Sequence, residues 1–152
     1  MLFILAIHTG LRMSDIVQLR IEDVRNRSFF SIREGKTKKW RMVYVYVIKE
    51  EIARYLSDKP LNGWLFPFFK GERQITVTQA YRVLTDAGQA IGRNDCGTHT
   101  CRKTFGYHYY QRTKDIDTLM EIFNHSNPQK TKRYIGIRHD DIKNAFKQFR
   151  LI

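Results

Sequence analysis

Residues Thr98 to Tyr134 read THTCRKTFGYHYYQRTKDIDTLMEIFNHSNPQKTKRY. Thr98 or Thr100 opens a helix that runs to about Arg112. His99 and Arg102 stand three apart, so they project side by side near its start. That end of a helix favours an anion, through its unbonded N–H groups and the positive end of its dipole. Cys101, Phe105 and Tyr109 mark a second face, turned to the core. Asp115 caps the next helix, whose apolar stripe is Ile116, Leu119, Met120 and Phe123. Asn124 suits a left-handed closing residue, so His125 emerges in a tight loop. Asn127 and Pro128 restart the chain as cap and first helical residue. Tyr134 then lies on or just past a short basic helix that carries Lys130, Lys132 and Arg133.

Working back toward the start, Leu2 to Ile7 is apolar and reads as the end of a buried helix, broken at Thr9-Gly10. A second helix follows, with Ile16, Val17 and Leu19 as its apolar residues, and ends near Arg20. Arg12 sits just after the break, with Asp15 three residues on and placed to orient its guanidinium. A β-region comes next: Phe29 to Ile32 as one strand and Met42 to Val47 as another. Glu34-Gly35-Lys36-Thr37-Lys38-Lys39 joins them as a cationic hairpin tip. Such a tip is either a solvated loop or a hairpin that lays a lysine into a nucleic acid. Lys49 to Ser57 is a short amphipathic helix, and Trp64 to Phe69 an aromatic stretch that Pro67 limits to an edge strand or extended segment. Thr76 to Ile91 reads as the longest helix, with Ala80, Val83, Leu84, Ala87 and Ile91 as its buried stripe and Gly92 as its stop. At the far end, Asp140 to Ile152 reads as a helix with Ile142, Phe146 and Phe149 on one face. That face docks on its own domain or on a neighbouring protomer.

The chain has 152 residues, which fits one domain with one core. It opens in mid-helix, which reads as a piece of a longer protein. No apolar run is long enough to span a membrane, and no signal peptide is recognisable. The expected setting is the cytoplasm. Lys and Arg number 27 against 15 acids, for a net charge of +12. That excess fits a polyanionic partner, and the bases are interleaved with core residues rather than strung along a tail. Cys96 and Cys101 match no zinc pattern and read as reduced thiols.

Two arginines, a hairpin lysine, two histidines and a tyrosine suit one reaction class. Phosphodiester cleavage needs a nucleophile, positive charge on the non-bridging oxygens and a proton for the leaving oxygen. Arginine forks grip phosphate oxygens in pairs. A tyrosine activated by a base or a cationic field can attack and hold the phosphoryl group as an ester. The acids are scattered, with no facing pairs at the spacing of two-metal catalysis. The inventory therefore points to covalent phosphoryl transfer with no metal and no cofactor.

In order along the chain, these residues resemble the tyrosine recombinases, or phage-integrase family. Thr9-Gly10-Leu11-Arg12-x-x-Asp15 resembles the first-arginine box, Gly35 to Lys39 the β-hairpin lysine segment, and His99-x-x-Arg102 the central box. Phe123-Asn124-His125-Ser126 resembles the Leu-Gly-His-Ser box, with asparagine where glycine is common, and Tyr134 follows His125 by nine residues. Each box alone is weak, and five in order are specific. The resemblance implies an α+β fold: a mainly helical catalytic domain, residues 1–152, with a small antiparallel β-hairpin on one edge. The family's N-terminal DNA-clamping domain would be absent, and the segment 140–152 would be the helix that docks in cis or in trans.

The same resemblance implies roles. Tyr134 would attack the scissile phosphate and form a 3′-phosphotyrosyl intermediate. Arg12 and Arg102 would hold the phosphate oxygens, and His125 would donate to them. Lys36 would protonate the leaving 5′ oxygen, with Lys38 as the other candidate at the same tip. His99 would assist proton transfer, and Asp15 would support. Lys38, Lys39, Arg41, Lys103, Lys130, Lys132 and Arg133 would bind DNA. The partners implied are a double-stranded attachment site, three further protomers in a tetramer on DNA, and accessory DNA-bending proteins. The setting would be DNA integration by a phage or another mobile element. A catalytically silent DNA-binding module and a DNA-relaxing enzyme like the type IB topoisomerases are the competing readings.

Overall fold

The chain makes its first turn at Gly10 in the computed structural model, which describes residues 1–69 and 73–149. Helix α1 (Leu2–Thr9) buries Leu2, Leu5, Ala6 and Thr9 and ends where Gly10 adopts φ 60°. A Cβ on Gly10 would fall 2.4 Å from Cδ1 of Phe105. Both the left-handed backbone and the lack of space therefore call for glycine. Helices α2 (Met13–Ile16) and α3 (Ile21–Val24) are single turns. The pattern of apolar residues predicts one helix up to Arg20. The chain instead leaves α2 at Val17, because Arg20 pairs with Trp64 in an extended bridge and Leu19 O accepts from Leu65 N–H at 2.9 Å.

Strands β1 (Phe29–Arg33) and β2 (Trp40–Tyr44) form a two-stranded antiparallel sheet, with Phe30 opposite Val43 and Ile32 opposite Arg41. One face of this hairpin is buried through Phe30 and Val43, and the alternation continues inward to Glu34 and Val45. The other face exposes Phe29, Trp40, Met42 and Tyr44. The second strand was expected to run to Val47, but it stops at Tyr44. Val45 N–H bonds Ser28 O at 2.8 Å, and Tyr46–Ile48 then forms a 3-10 turn that buries Ile48. Helix α4 (Lys49–Tyr55) follows directly. Leu65 and Phe66 bury as expected, whereas Phe69 is exposed.

Helix α5 (Val77–Gln89) opens on a capping box between Thr76 and Gln79. It buries Ala80, Leu84 and Gly88. Val83, Ala87 and Ile91, assigned to the buried stripe from sequence, lie outside it and are exposed. The longest helix is α6 (Thr98–Thr113, 16 residues), not α5 with 13.

The chain divides into two compact units, and the division falls inside α6 between Phe105 and Gly106. The core of the first is a cluster that includes Leu5, Leu11, Ile16, Ile21, Val43, Val45, Ile48, Leu65 and Ala80. In the second, α7 (Ile116–Phe123), α8 (Pro128–Ile135) and α9 (Ile137–Gln148) bury Leu119, Phe123, Ile135 and Ile137. Gly106 belongs to this second packing: a Cβ there would lie 2.6 Å from Ile135 Cγ2 and 2.8 Å from the Phe123 ring. Helix α9 starts three residues before the expected terminal helix, directly after Gly136 in left-handed geometry. Ile142, Phe146 and Phe149 are exposed, and residues 150–152 of the expected helix lie outside the described residues. Among the described residues, no helix is long and apolar enough to cross a membrane.

Gly10→Ala must accept a left-handed alanine and displace Phe105. The expected loss is about 2–4 kcal/mol of unfolding free energy by denaturant titration. A loss under about 0.5 kcal/mol would show that the turn can be made without glycine.

Candidate active site

In the first unit, three arginines converge on the connector between α1 and α2. Arg102, buried in the first turns of α6, donates through Nη1 to Gly10 O. Arg41, on the inward face of β2, donates through Nη2 to Thr9 O at 2.5 Å. Arg12 leaves the connector itself and donates through Nη1 to Glu34 Oε2 at 2.7 Å. The connector is braced internally as well, with Thr9 Oγ1 donating to Leu5 O at 2.7 Å and accepting from Leu11 N–H at 3.3 Å. Arg12 is thus set on a backbone that two other arginines hold.

Glu34 is the charge that sequence reading missed. It is 0% exposed. Besides Arg12, its Oε2 accepts from Thr37 Oγ1 at 2.8 Å, and its Oε1 lies 3.7 Å from Arg41 Nη1. A carboxylate removed from water needs such partners to remain charged. The signal lay in the strand alternation, since Glu34, one residue past β1, continues the phase of Phe30 and Ile32. Asp15 completes a reciprocal link. Its Oδ1 accepts from Gly35 N–H at 3.0 Å, so the acid of α2 holds the hairpin tip while the acid of the hairpin holds Arg12.

The hairpin tip is shaped by the same carboxylate residue. Lys38 N–H bonds Glu34 O at 2.9 Å and Glu34 N–H bonds Lys39 O at 3.0 Å. Lys38 takes a left-handed conformation at φ 58°. Lys36, Lys38 and Lys39 are exposed on this tip. Lys36 also lines an open groove of about 630 Å³ with Ser14, Gln18, Arg33 and Trp40. Arg41 departs from the sequence expectation of a DNA-facing base. Burial pulls its pKa below the ordinary arginine value, the neighbouring Glu34 carboxylate opposes that shift, and its guanidinium is used inside the protein. The cause is its phase in β2, shared with Val43 and Val45. His99 is exposed in the first turn of α6, and Lys103 is exposed one turn later.

In the second unit, His125 and Tyr134 are brought together. Asp115 caps α7 by accepting from Thr118 N–H at 2.9 Å. Asn124 ends the helix at φ 52°, and His125 N–H returns to Met120 O at 2.9 Å. Asn127 then caps α8 through Gln129 N–H at 2.7 Å, with Pro128 as its first residue. These stops place the rings of Phe123, His125 and Tyr134 mutually edge-on, with centroids 5.4, 5.5 and 5.6 Å apart. His125 Nδ1 and Thr131 Oγ1 share a hydrogen bond of 3.0 Å. Tyr134 is half-buried on α8. Lys130 and Arg133 are exposed on the same helix, and Lys132 is half-buried with its Nζ 5.9 Å from the Tyr110 ring centroid. Among the described residues, no three His, Cys, Asp or Glu side chains gather as a metal site. Cys96 and Cys101 are free thiols.

A probable integrase/recombinase of Bacillus subtilis (strain 168), YoeC, is 47% identical over 97% of this chain and 82% of its own length. The crystal structure of XerA recombinase superposes with a TM-score of 0.71 at 23% identity, over 97% of this chain and 56% of that one. XerH site-specific recombinase, solved on a palindromic difH substrate in a post-cleavage complex, gives 0.69 at 22% identity over 97% of this chain and 44% of that one. At such identity the two structures show a shared fold, and this chain spans about half of each. Residues 1–140 match the phage integrase family over most of the chain, and the protein belongs to that family.

Proposed function

We propose that the chain is the catalytic domain of a site-specific DNA recombinase that cuts and rejoins strands through Tyr134. The observation that carries this reading is the packing of the half-buried Tyr134 ring against His125, which is itself fixed by Thr131. A tyrosine with a hydrogen-bonding histidine at its side is suited to attack phosphorus rather than only to fill a core. The arginine arrangement supplies the second requirement, since Arg12 and Arg102 are held from below rather than left to swing in solvent.

In the proposed step, the Tyr134 oxygen bonds to the scissile phosphorus as the bond to the 5′ oxygen breaks. Arg12 and Arg102 take the charge of the non-bridging oxygens, with His125 as a further donor. His99 assists removal of the phenolic proton, and Lys36 protonates the departing 5′ oxygen. The phosphoryl group remains on Tyr134 as a 3′ ester, so a 5′-hydroxyl can reverse the step without an outside energy source. Double-stranded DNA is the partner this requires, and a recombinase of the same fold has been solved on its DNA substrate. Lys38, Lys39, Lys103, Lys130, Lys132 and Arg133 would add contacts to the phosphate backbone. A tetramer on DNA and accessory DNA-bending proteins complete the proposal.

Tyr134→Phe is expected to remove every covalent protein–DNA adduct on nicked duplexes while shifting the melting temperature by no more than about 3 °C. An adduct that survives this change would reject Tyr134 as the nucleophile. A wild-type chain that binds DNA and never forms an adduct would favour the silent DNA-binding module.

Binding should weaken steeply with salt, by a slope of about −0.9 in log affinity against log salt per neutralised phosphate. Lys130→Ala should reduce that slope by about one without changing the preferred sequence. A slope near zero in the wild-type chain would contradict backbone-dominated binding.

A further inference from the structure

We infer that Glu34 is a positioning residue that sets Arg12 and the Lys36 hairpin tip as one unit on the scissile phosphate; this rests on the strand-transfer reading given above. Three observations carry it. First, Glu34 Oε2 accepts from both Arg12 Nη1, at 2.7 Å, and Thr37 Oγ1, at 2.8 Å. The phosphate-binding arginine and the tip that carries Lys36 therefore meet on a single oxygen atom. Second, Glu34 is 0% exposed and its backbone closes the tip through Lys38 and Lys39. Its backbone and its carboxylate are thus both bonded to the tip. Third, Asp15 crosses in the opposite direction to Gly35 N–H at 3.0 Å, so the two segments are tied twice.

The charge balance points the same way. An acid beside a phosphate-binding arginine lowers the attraction for phosphate, so affinity gives no reason to place one there. Orientation does. Arginine carries five N–H donors in a rigid fork. Using one on Glu34 fixes the plane of the guanidinium. Thr37 then ties the tip to that plane, which sets where the Lys36 ammonium can reach the 5′ oxygen. Misplacement of about 1 Å costs on the order of a hundredfold in rate.

The two halves of this role separate chemically. In an ordinary duplex the 5′ oxygen leaves as its proton arrives from Lys36. With a 5′-bridging sulfur, the thiolate leaves without a proton, so a fault in Lys36 placement is masked while a fault in Arg12 placement is not. Glu34→Gln and Thr37→Val would be compared with the wild-type chain on nicked duplexes. The duplexes are those that the wild-type chain selects, by adduct formation, from a pool with a randomised core. Each is made with oxygen and with bridging sulfur, and thermal melts establish folding.

For Thr37→Val the expected result is an adduct rate down about tenfold on oxygen and within about twofold of wild type on sulfur. For Glu34→Gln it is a loss of about a hundredfold on oxygen that persists in large part on sulfur, with DNA affinity unchanged or tighter. Wild-type rates in both variants, or a loss in Glu34→Gln that appears only as weaker binding, would overturn the inference. If Glu34→Gln does not fold, Thr37→Val decides: an equal loss on oxygen and sulfur would overturn it. A wild-type chain that selects no duplex at all would overturn the strand-transfer reading, a failure distinct from either of these.

Discussion

A carboxylate with no exposure to water sits beneath the arginines of the first unit. Desolvating such a charge costs several kcal/mol unless partners replace the lost water. Glu34 has Arg12, Arg41 and Thr37 as those partners, and each belongs to a different piece of local structure. The connector after α1, the inward face of β2 and the hairpin tip therefore cannot relax independently. The glycine turn at Gly10 serves the same arrangement. It lets Phe105 of α6 press against the connector while Arg102 of the same helix holds Gly10 O. Arg41 in turn holds Thr9 O from the hairpin. The result is a set of arginines that were ordered when the domain folded. A free arginine would instead lose its rotamer entropy on meeting each substrate.

The second unit fixes one tyrosine, Tyr134, by different means. Two helix stops within a few residues, Asn124 and the Asn127-Pro128 pair, leave His125 no room to wander. Gly106 allows Phe123 and Ile135 to approach α6 at distances a side chain would forbid. Phe123 is fully buried, and it supports both the His125 and Tyr134 rings from the side. Helix α8 is eight residues long and buries only Thr131 and Ile135. Its stability therefore rests on caps and neighbours rather than on its own length.

Much of this was legible in the sequence because it is written in local chemistry. Asn124, Pro128 and Gly10 act through their own backbone, and Asp115 and Asn127 cap an N–H two or three residues on, so their roles survive without knowledge of the fold. The order and spacing of the Arg12, Lys36, His99-x-x-Arg102, His125 and Tyr134 segments carried the family. What escaped was set by tertiary pairing. The single-turn α2 depends on Trp64 and Leu65, more than forty residues away in sequence. The buried stripe of α5 was drawn too wide because helical period alone cannot tell which of Ala80, Val83, Leu84 and Ala87 has a neighbour to meet. Glu34 was read as part of the cationic turn and Arg41 as a DNA-binding base, although the alternation that runs through β1 and β2 places both inward, with Ile32 and Val43.

The account stands on Tyr134 as the group that takes the phosphoryl. The most direct measurement is mass spectrometry of the trapped adduct after nuclease and trypsin digestion. Trypsin should release Tyr134-Ile-Gly-Ile-Arg138. The account predicts that this peptide carries a 3′-phosphonucleotide on the phenolic oxygen. A nucleotide found on another residue, or cleaved DNA with no nucleotide on the protein, would contradict it.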